Sequence, residues 1–133
     1  MNLNSIDANL VFISDLTETK FRGVDIGKEL SQAIKDRIQD PRVALLAQEK
    51  LHELIEKNAF QDDKMGAIYA LRNIGILFEP TLKIDFQALC KKYSRDSYLI
   101  IENKGDIDND YLYFLTREAG KKIDLTDLNY TVL

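Results

Sequence analysis

The chain has 133 residues, of which 45% are hydrophobic and 30% are charged, and its formal net charge is −4. These values are typical of one globular domain with an ordinary core, and they exclude a strongly basic protein that binds duplex DNA by neutralising phosphates. No stretch approaches the roughly 18 apolar residues that span a bilayer, and the first residues lack the basic segment of a signal peptide. We therefore expect a cytoplasmic protein with no membrane contact.

The chain has one cysteine and one histidine, which limits metal and thiol chemistry. Cys90 has no second thiol with which to form an internal disulfide or a zinc site, and its helical surroundings predict a small buried side chain. A catalytic thiol needs a base, and His52 is predicted to lie on a solvated helix face. The alternating acids of Asp106–Asp110 lack the glycine of a calcium loop and predict an acidic turn. We expect no metal and no other cofactor.

The first half of the sequence predicts one strand and two helices. Leu10–Ile13 is a short β-rich run, and the polar segment Thr17–Gly23 suits a loop. Apolar residues then recur at three- and four-residue spacings from Asp25 onwards, which predicts a helix. A capping carboxylate followed by proline, Asp40-Pro41, predicts the start of a second helix, which ends near Asn58.

The second half predicts a strand, a helix and further strands. The central strand is predicted over Ala67–Phe78, with Pro80 closing it. Asp85 is predicted to cap a helix, and Tyr98–Ile101 follows as a second central strand. The predicted inward residues of that helix are Phe86, Leu89, Cys90 and Tyr93.

The last part of the chain predicts a turn over Gly105–Asp110, a strand over Tyr111–Leu115, a turn over Thr116–Lys122 and an edge strand over Tyr130–Leu133. Strands that alternate with helices favour a parallel sheet. We therefore expect residues 1–133 to form a single α/β domain, with a mostly parallel sheet of four or five strands flanked by helices.

A phosphate-binding loop is the first candidate site, at Gly23–Glu29. Only three residues separate its two glycines, where four are needed for backbone amides to surround a phosphate. Asp25 and Glu29 would also repel a triphosphate. The segment is better explained as the glycine-containing start of the predicted helix.

A metal-dependent nuclease is an alternative. Glu102 and Lys104, at the end of an apolar strand, match the E-x-K half of the PD-(D/E)xK pattern, in which carboxylates hold magnesium and the lysine activates water. The pattern needs a further acid upstream. Asp85 is the best available residue, with Glu79 as a substitute, although Asp85 is also the predicted helix cap.

A basic patch provides a third candidate, for weak contact with nucleic acid or with a protein partner. Its main residues are Lys91, Lys92 and Arg95, near two tyrosines that could stack on bases, Tyr93 and Tyr98. The structural alternative is that these cations simply stabilise the carboxyl end of a helix.

One segment resembles a known family. The stretch from Ile76 to Ile107 resembles the C-terminal half of the small BrxF-type proteins of bacterial BREX phage-exclusion systems, which look like P-loop NTPases of the additional-strand class. The match is carried by Ile76-Leu77-Phe78-Glu79-Pro80, Leu82, Asp85, Leu89 and Ser94-Arg95. The resemblance implies a P-loop-like fold and a role in antiviral defence.

The departures from that family concern its catalytic residues. The chain has no nucleotide loop, and Arg72 and Gly75 stand where the family carries the acids that hold magnesium and polarise water. Asn103 would occupy a sensor-like position. The resemblance thus implies a degenerate member without hydrolysis. We expect a non-catalytic accessory or adaptor protein that acts through a protein partner; the nuclease and the weak nucleic-acid binder remain as alternatives, and the oligomeric state is open.

Overall fold

The computed structural model describes residues 8–114 and 121–133. Its nine strands are β1 (Leu10–Ile13), β2 (Val24–Asp25), β3 (Phe60–Asp62), β4 (Gly66–Arg72), β5 (Tyr98–Glu102), β6 (Ile107–Asp108), β7 (Tyr111–Phe114), β8 (Lys121–Asp124) and β9 (Tyr130–Val132). Its three α-helices are α1 (Ile26–Ile34), α2 (Val43–Lys57) and α3 (Phe86–Ser94).

The main sheet is mostly parallel, as predicted, and has six strands rather than four or five. Five of them run parallel in the order β2-β4-β5-β1-β9, and β3 pairs antiparallel with β4. The predicted central strand β5 lies between β4 and β1. The predicted edge strand at the end of the chain is confirmed as β9, which pairs with β1.

All three helices cover one face of this sheet. Strand side chains alternate between two faces, so that Leu10, Phe12 and Leu99 share a buried cluster with the inner residues of the helices. The predicted cap of α3 is confirmed, since the Asp85 carboxylate accepts a hydrogen bond from the backbone N–H of Ala88 at 3.0 Å. The four predicted inward residues of α3 are all buried.

The opposite face of the sheet is covered by a strap, residues 14–23. Leu16 and Phe21 of the strap pack on Val11, Ile68 and Ile100, whose side chains alternate with those that face the helices. The strap connects the end of β1 to β2 across β5 and β4. Its helical content is the three-residue 3₁₀ helix Leu16–Glu18. The predicted loop at Thr17–Gly23 therefore belongs to a segment that packs on one face of the sheet.

The predicted strand at Ile74–Phe78 is wrong. Strand β4 ends at Arg72, Asn73 adopts a left-handed conformation with φ 54°, and Ile74–Phe78 forms a 3₁₀ helix. A short apolar run fits either a buried strand or a buried helical segment. The spacing of three between the buried Ile74 and Leu77 fits one turn of 3₁₀ helix.

The second helix starts later than predicted. The Asp40 carboxylate accepts a hydrogen bond from the backbone N–H of Arg42 at 2.8 Å, within a turn that precedes the helix. Helix α2 begins only at Val43, and its predicted end near Asn58 is confirmed.

A second, antiparallel sheet of β6, β7 and β8 was not predicted. Asn109 and Asp110 both have positive φ, at 53° and 62°, which is the backbone of a tight two-residue hairpin turn between β6 and β7. Leu112 of β7 lies in the core cluster of the main sheet, so both sheets share one core. The predicted turn at Thr116–Lys122 lies largely outside the described residues, and Lys121-Lys122 belong to β8. Among the described residues, no helix has the length and apolar composition needed to cross a membrane.

Candidate functional site

Polar side chains converge at the carboxyl edge of the main sheet, where open α/β sheets usually bind ligands. Strand β5 runs parallel to β4 on one side and to β1 on the other, so these three strands end side by side. A cavity of about 360 Å³ opens at the ends of β4 and β5. Its polar lining consists of Arg72, Asn73, Glu102, Asn103 and Lys104, with Ile74 and Phe114 as apolar walls.

The turn that follows β1 is closed by the chain's own carboxylates. Glu102 Oε2 accepts a hydrogen bond from the backbone N–H of Leu16 at 2.9 Å. Asp15 Oδ1 accepts hydrogen bonds from the hydroxyl and the backbone N–H of Thr17, at 2.6 Å and 2.9 Å, and these bonds, the hydroxyl first, lower the pKa of Asp15. Two successive backbone amides after β1 therefore already have anionic acceptors within the protein.

Asn103 has a structural role beside this turn. Its backbone N–H donates to the carbonyl of Ile13 at 2.9 Å, and its side-chain amide donates to the carbonyl of Gly105 at 3.1 Å. Only 8% of Asn103 is exposed. The residue that the resemblance assigned to a sensor-like position thus ties the end of β5 to β1.

Arg72 is held by an acid at the end of β4. Its Nη1 lies 3.3 Å from Asp25 Oδ2, and Asp25 Oδ1 also accepts hydrogen bonds from the Asn73 side chain at 2.8 Å and the Lys28 N–H at 2.9 Å. These contacts, the Lys28 N–H first, lower the pKa of Asp25. Asp25 is thereby engaged as the cap of α1 and as the counter-ion of Arg72.

The three residues of the nuclease alternative occupy two places. Glu102 and Lys104 line the carboxyl-edge cavity. Asp85 is the cap of α3 and lines a groove between α2 and α3 together with His52. Asp85 is absent from the lining of the cavity, and among the described residues no group of three histidine, cysteine, aspartate or glutamate side chains could hold a metal ion.

The three basic residues at the carboxyl end of α3 also separate. Lys91 and Arg95 line a groove of about 430 Å³ between α3 and the segment that leads into β9. Lys92 lines a different groove, the one between α2 and α3, and its Nζ lies 5.4 Å from the centre of the Tyr93 ring. Tyr93 is only 3% exposed, and Tyr98 packs against the cluster on the strap face, so these two rings do not form a stacking platform beside Lys91 and Arg95.

The prediction of a solvated His52 is wrong, because the side chain is half-buried between α2 and α3. Its Nδ1 lies 2.6 Å from the hydroxyl of Tyr93. Burial, with a smaller effect of Lys92, lowers the pKa of His52. The predicted burial of Cys90 is confirmed, and burial raises the pKa of its thiol, which suits an inert core residue.

No protein-family model matches the sequence, and we found no match to it among curated proteins or solved structures. The function must therefore be inferred from the residues of this chain.

Proposed function

We propose that the protein is a non-catalytic accessory or adaptor protein, built on a P-loop-like sheet, that acts in the bacterial cytoplasm through protein contacts. The observation that carries this proposal is the hydrogen bond from the Leu16 N–H to Glu102. In a nucleotide-binding protein of this kind, backbone amides after the first strand are needed for phosphate oxygens. In this chain a carboxylate of the neighbouring strand takes one of them.

The strand order supports a P-loop-like sheet. The additional-strand class is named for a strand inserted between the strand that leads into the nucleotide loop and the strand that carries the acidic group. In this chain β5 lies between β1 and β4. On that correspondence, Arg72 stands at the end of the strand that would carry the magnesium-binding acid.

The charges at this edge favour loss of hydrolysis. The guanidinium of Arg72 repels Mg²⁺. The nearby Asp25 is already paired with Arg72, at 3.3 Å, and is not free to bind the metal. A nucleotide enzyme needs a free carboxylate at this place to hold Mg²⁺, and the metal ion neutralises the charge that develops on the phosphate. The antiphage role is proposed on the resemblance of residues 76–95 to BrxF-type proteins.

A thermal-shift experiment with ATP and magnesium tests the proposal. We expect no change in the Tm of the protein, with a P-loop NTPase as the positive control. A ligand at about 100 times its Kd stabilises the native state by about 2.7 kcal/mol, which corresponds to several degrees. A rise of several degrees with ATP and magnesium would therefore contradict the proposal.

A further inference from the structure

The groove beside α3, which we name the α3 groove, combines two cations with polar groups. Lys91 lies in the last turn of α3 and Arg95 follows the helix directly, and both line this groove. The opposite wall is formed by the segment before β9, with Asp127 and Asn129. The volume of about 430 Å³ is large enough to hold several side chains of another molecule.

The charges of the α3 groove are not neutralised within the described part of the chain. Lys91 and Arg95 are exposed, and neither forms an ion pair there; the ion pairs that do form involve Arg37, Arg42, Lys50 and Arg72. Asp127 lines the same groove without closing onto either cation. The two walls thus stand apart, with two positive groups on one side available to a ligand.

We propose that the α3 groove binds an acidic segment of a partner protein, with carboxylates of that segment paired to Lys91 and Arg95. This inference rests on the proposed function, because it names the surface through which an adaptor would make its contact. The Asn129 side chain on the opposite wall can hydrogen-bond the backbone of such a segment. Complementary charge of this kind mainly sets the specificity and the rate of association.

A protein segment fits the α3 groove better than nucleic acid does. Two cations would neutralise only two phosphates of a nucleic acid, whereas a short acidic segment can pair two carboxylates with them. Tyr93 offers no surface for base stacking beside Lys91 and Arg95, because its ring is buried and its hydroxyl is hydrogen-bonded to His52. A concave groove with a carboxylate on one wall suits side chains of mixed polarity.

An NMR titration of the isotope-labelled protein with a hexaglutamate peptide at low salt tests the inference. Hexaglutamine is the neutral control peptide. We expect saturable shifts at Lys91, Arg95 and the Asn129 side chain. Lys91→Glu and Arg95→Glu should each raise the Kd at least about fivefold, since each replaces an attraction by a repulsion. Lys20→Glu makes the same charge change in the strap, on the opposite face of the sheet from α3, and should change the Kd less than about twofold.

Four results would overturn the inference. The first is that the wild type does not bind hexaglutamate, and the second is that all three variants weaken binding equally. The third is that a single-stranded oligonucleotide, but not hexaglutamate, binds through Lys91. The fourth is that the protein self-associates and that both groove variants abolish this association. The Tm of each variant shows that it is folded. If the peptide fails to bind while ATP and magnesium still leave the Tm unchanged, the groove assignment is wrong and the proposed function stands.

Discussion

Replacing Leu16 by alanine is expected to lower the free energy of unfolding by about 2–5 kcal/mol, the usual cost of truncating a buried leucine. Leu16 is 1% exposed and packs with Phe21 on the strap face of the sheet. Truncation leaves a cavity between the strap and the sheet, at the start of the short 3₁₀ helix Leu16–Glu18. Urea unfolding of the wild type and of Leu16→Ala measures the loss.

Leu45→Ala is the matched control for this prediction. Leu45 is 58% exposed, so the same truncation should change the free energy of unfolding by no more than about 0.5 kcal/mol. If Leu16→Ala and Leu45→Ala prove equally mild, the strap does not cover the sheet as described.

Replacing Gly27 by alanine is expected to cost about 1–3 kcal/mol, as overpacking a tight contact does. A Cβ at this position would lie 2.5 Å from the Asn73 amide nitrogen and 3.1 Å from the Asn73 carbonyl oxygen. The Asn73 side chain would have to leave Asp25, and the hydrogen bond from the Gly27 N–H to the Asn73 carbonyl, 2.9 Å long, would be strained. Chemical denaturation measures the cost.

A double-mutant cycle identifies the source of that cost. Asn73→Gly removes the side chain nearest to the new Cβ and also suits the left-handed φ of 54° at this position. We expect Gly27→Ala to cost at least about 1 kcal/mol less in the Asn73→Gly background than in the wild type. Additive effects of the two substitutions would show that Asn73 is not the obstacle.

The elements that the sequence predicted well are those specified by neighbouring residues. Helix α3 has an acid at its cap and apolar residues at helical spacing, and β1 and β5 are short β-rich runs that end in polar residues. The segment Ile74–Phe78 failed because its apolar run fits two structures. The left-handed turn at Asn73, which ends β4, depends on hydrogen bonds to Asp25 and Gly27. Those partners are more than forty positions away in the sequence.

The site residues illustrate the same limit. A carboxylate at the end of a buried strand, such as Glu102, suits metal chemistry, but in the structure it accepts a hydrogen bond from the backbone of Leu16, 86 positions earlier. That contact follows from β1 and β5 being neighbours in the sheet, which local patterns do not specify. The contact between His52 and Tyr93, across 41 positions, was missed for the same reason.

The turn after β1 is closed by the protein's own carboxylates, and we therefore propose that it does not bind phosphate. NMR titration of isotope-labelled protein with ATP and magnesium tests it at the two amides concerned, those of Leu16 and Thr17. We predict that both signals stay unchanged at every nucleotide concentration. A saturable shift of the Leu16 and Thr17 amides, reversed when the nucleotide is removed, would contradict the account.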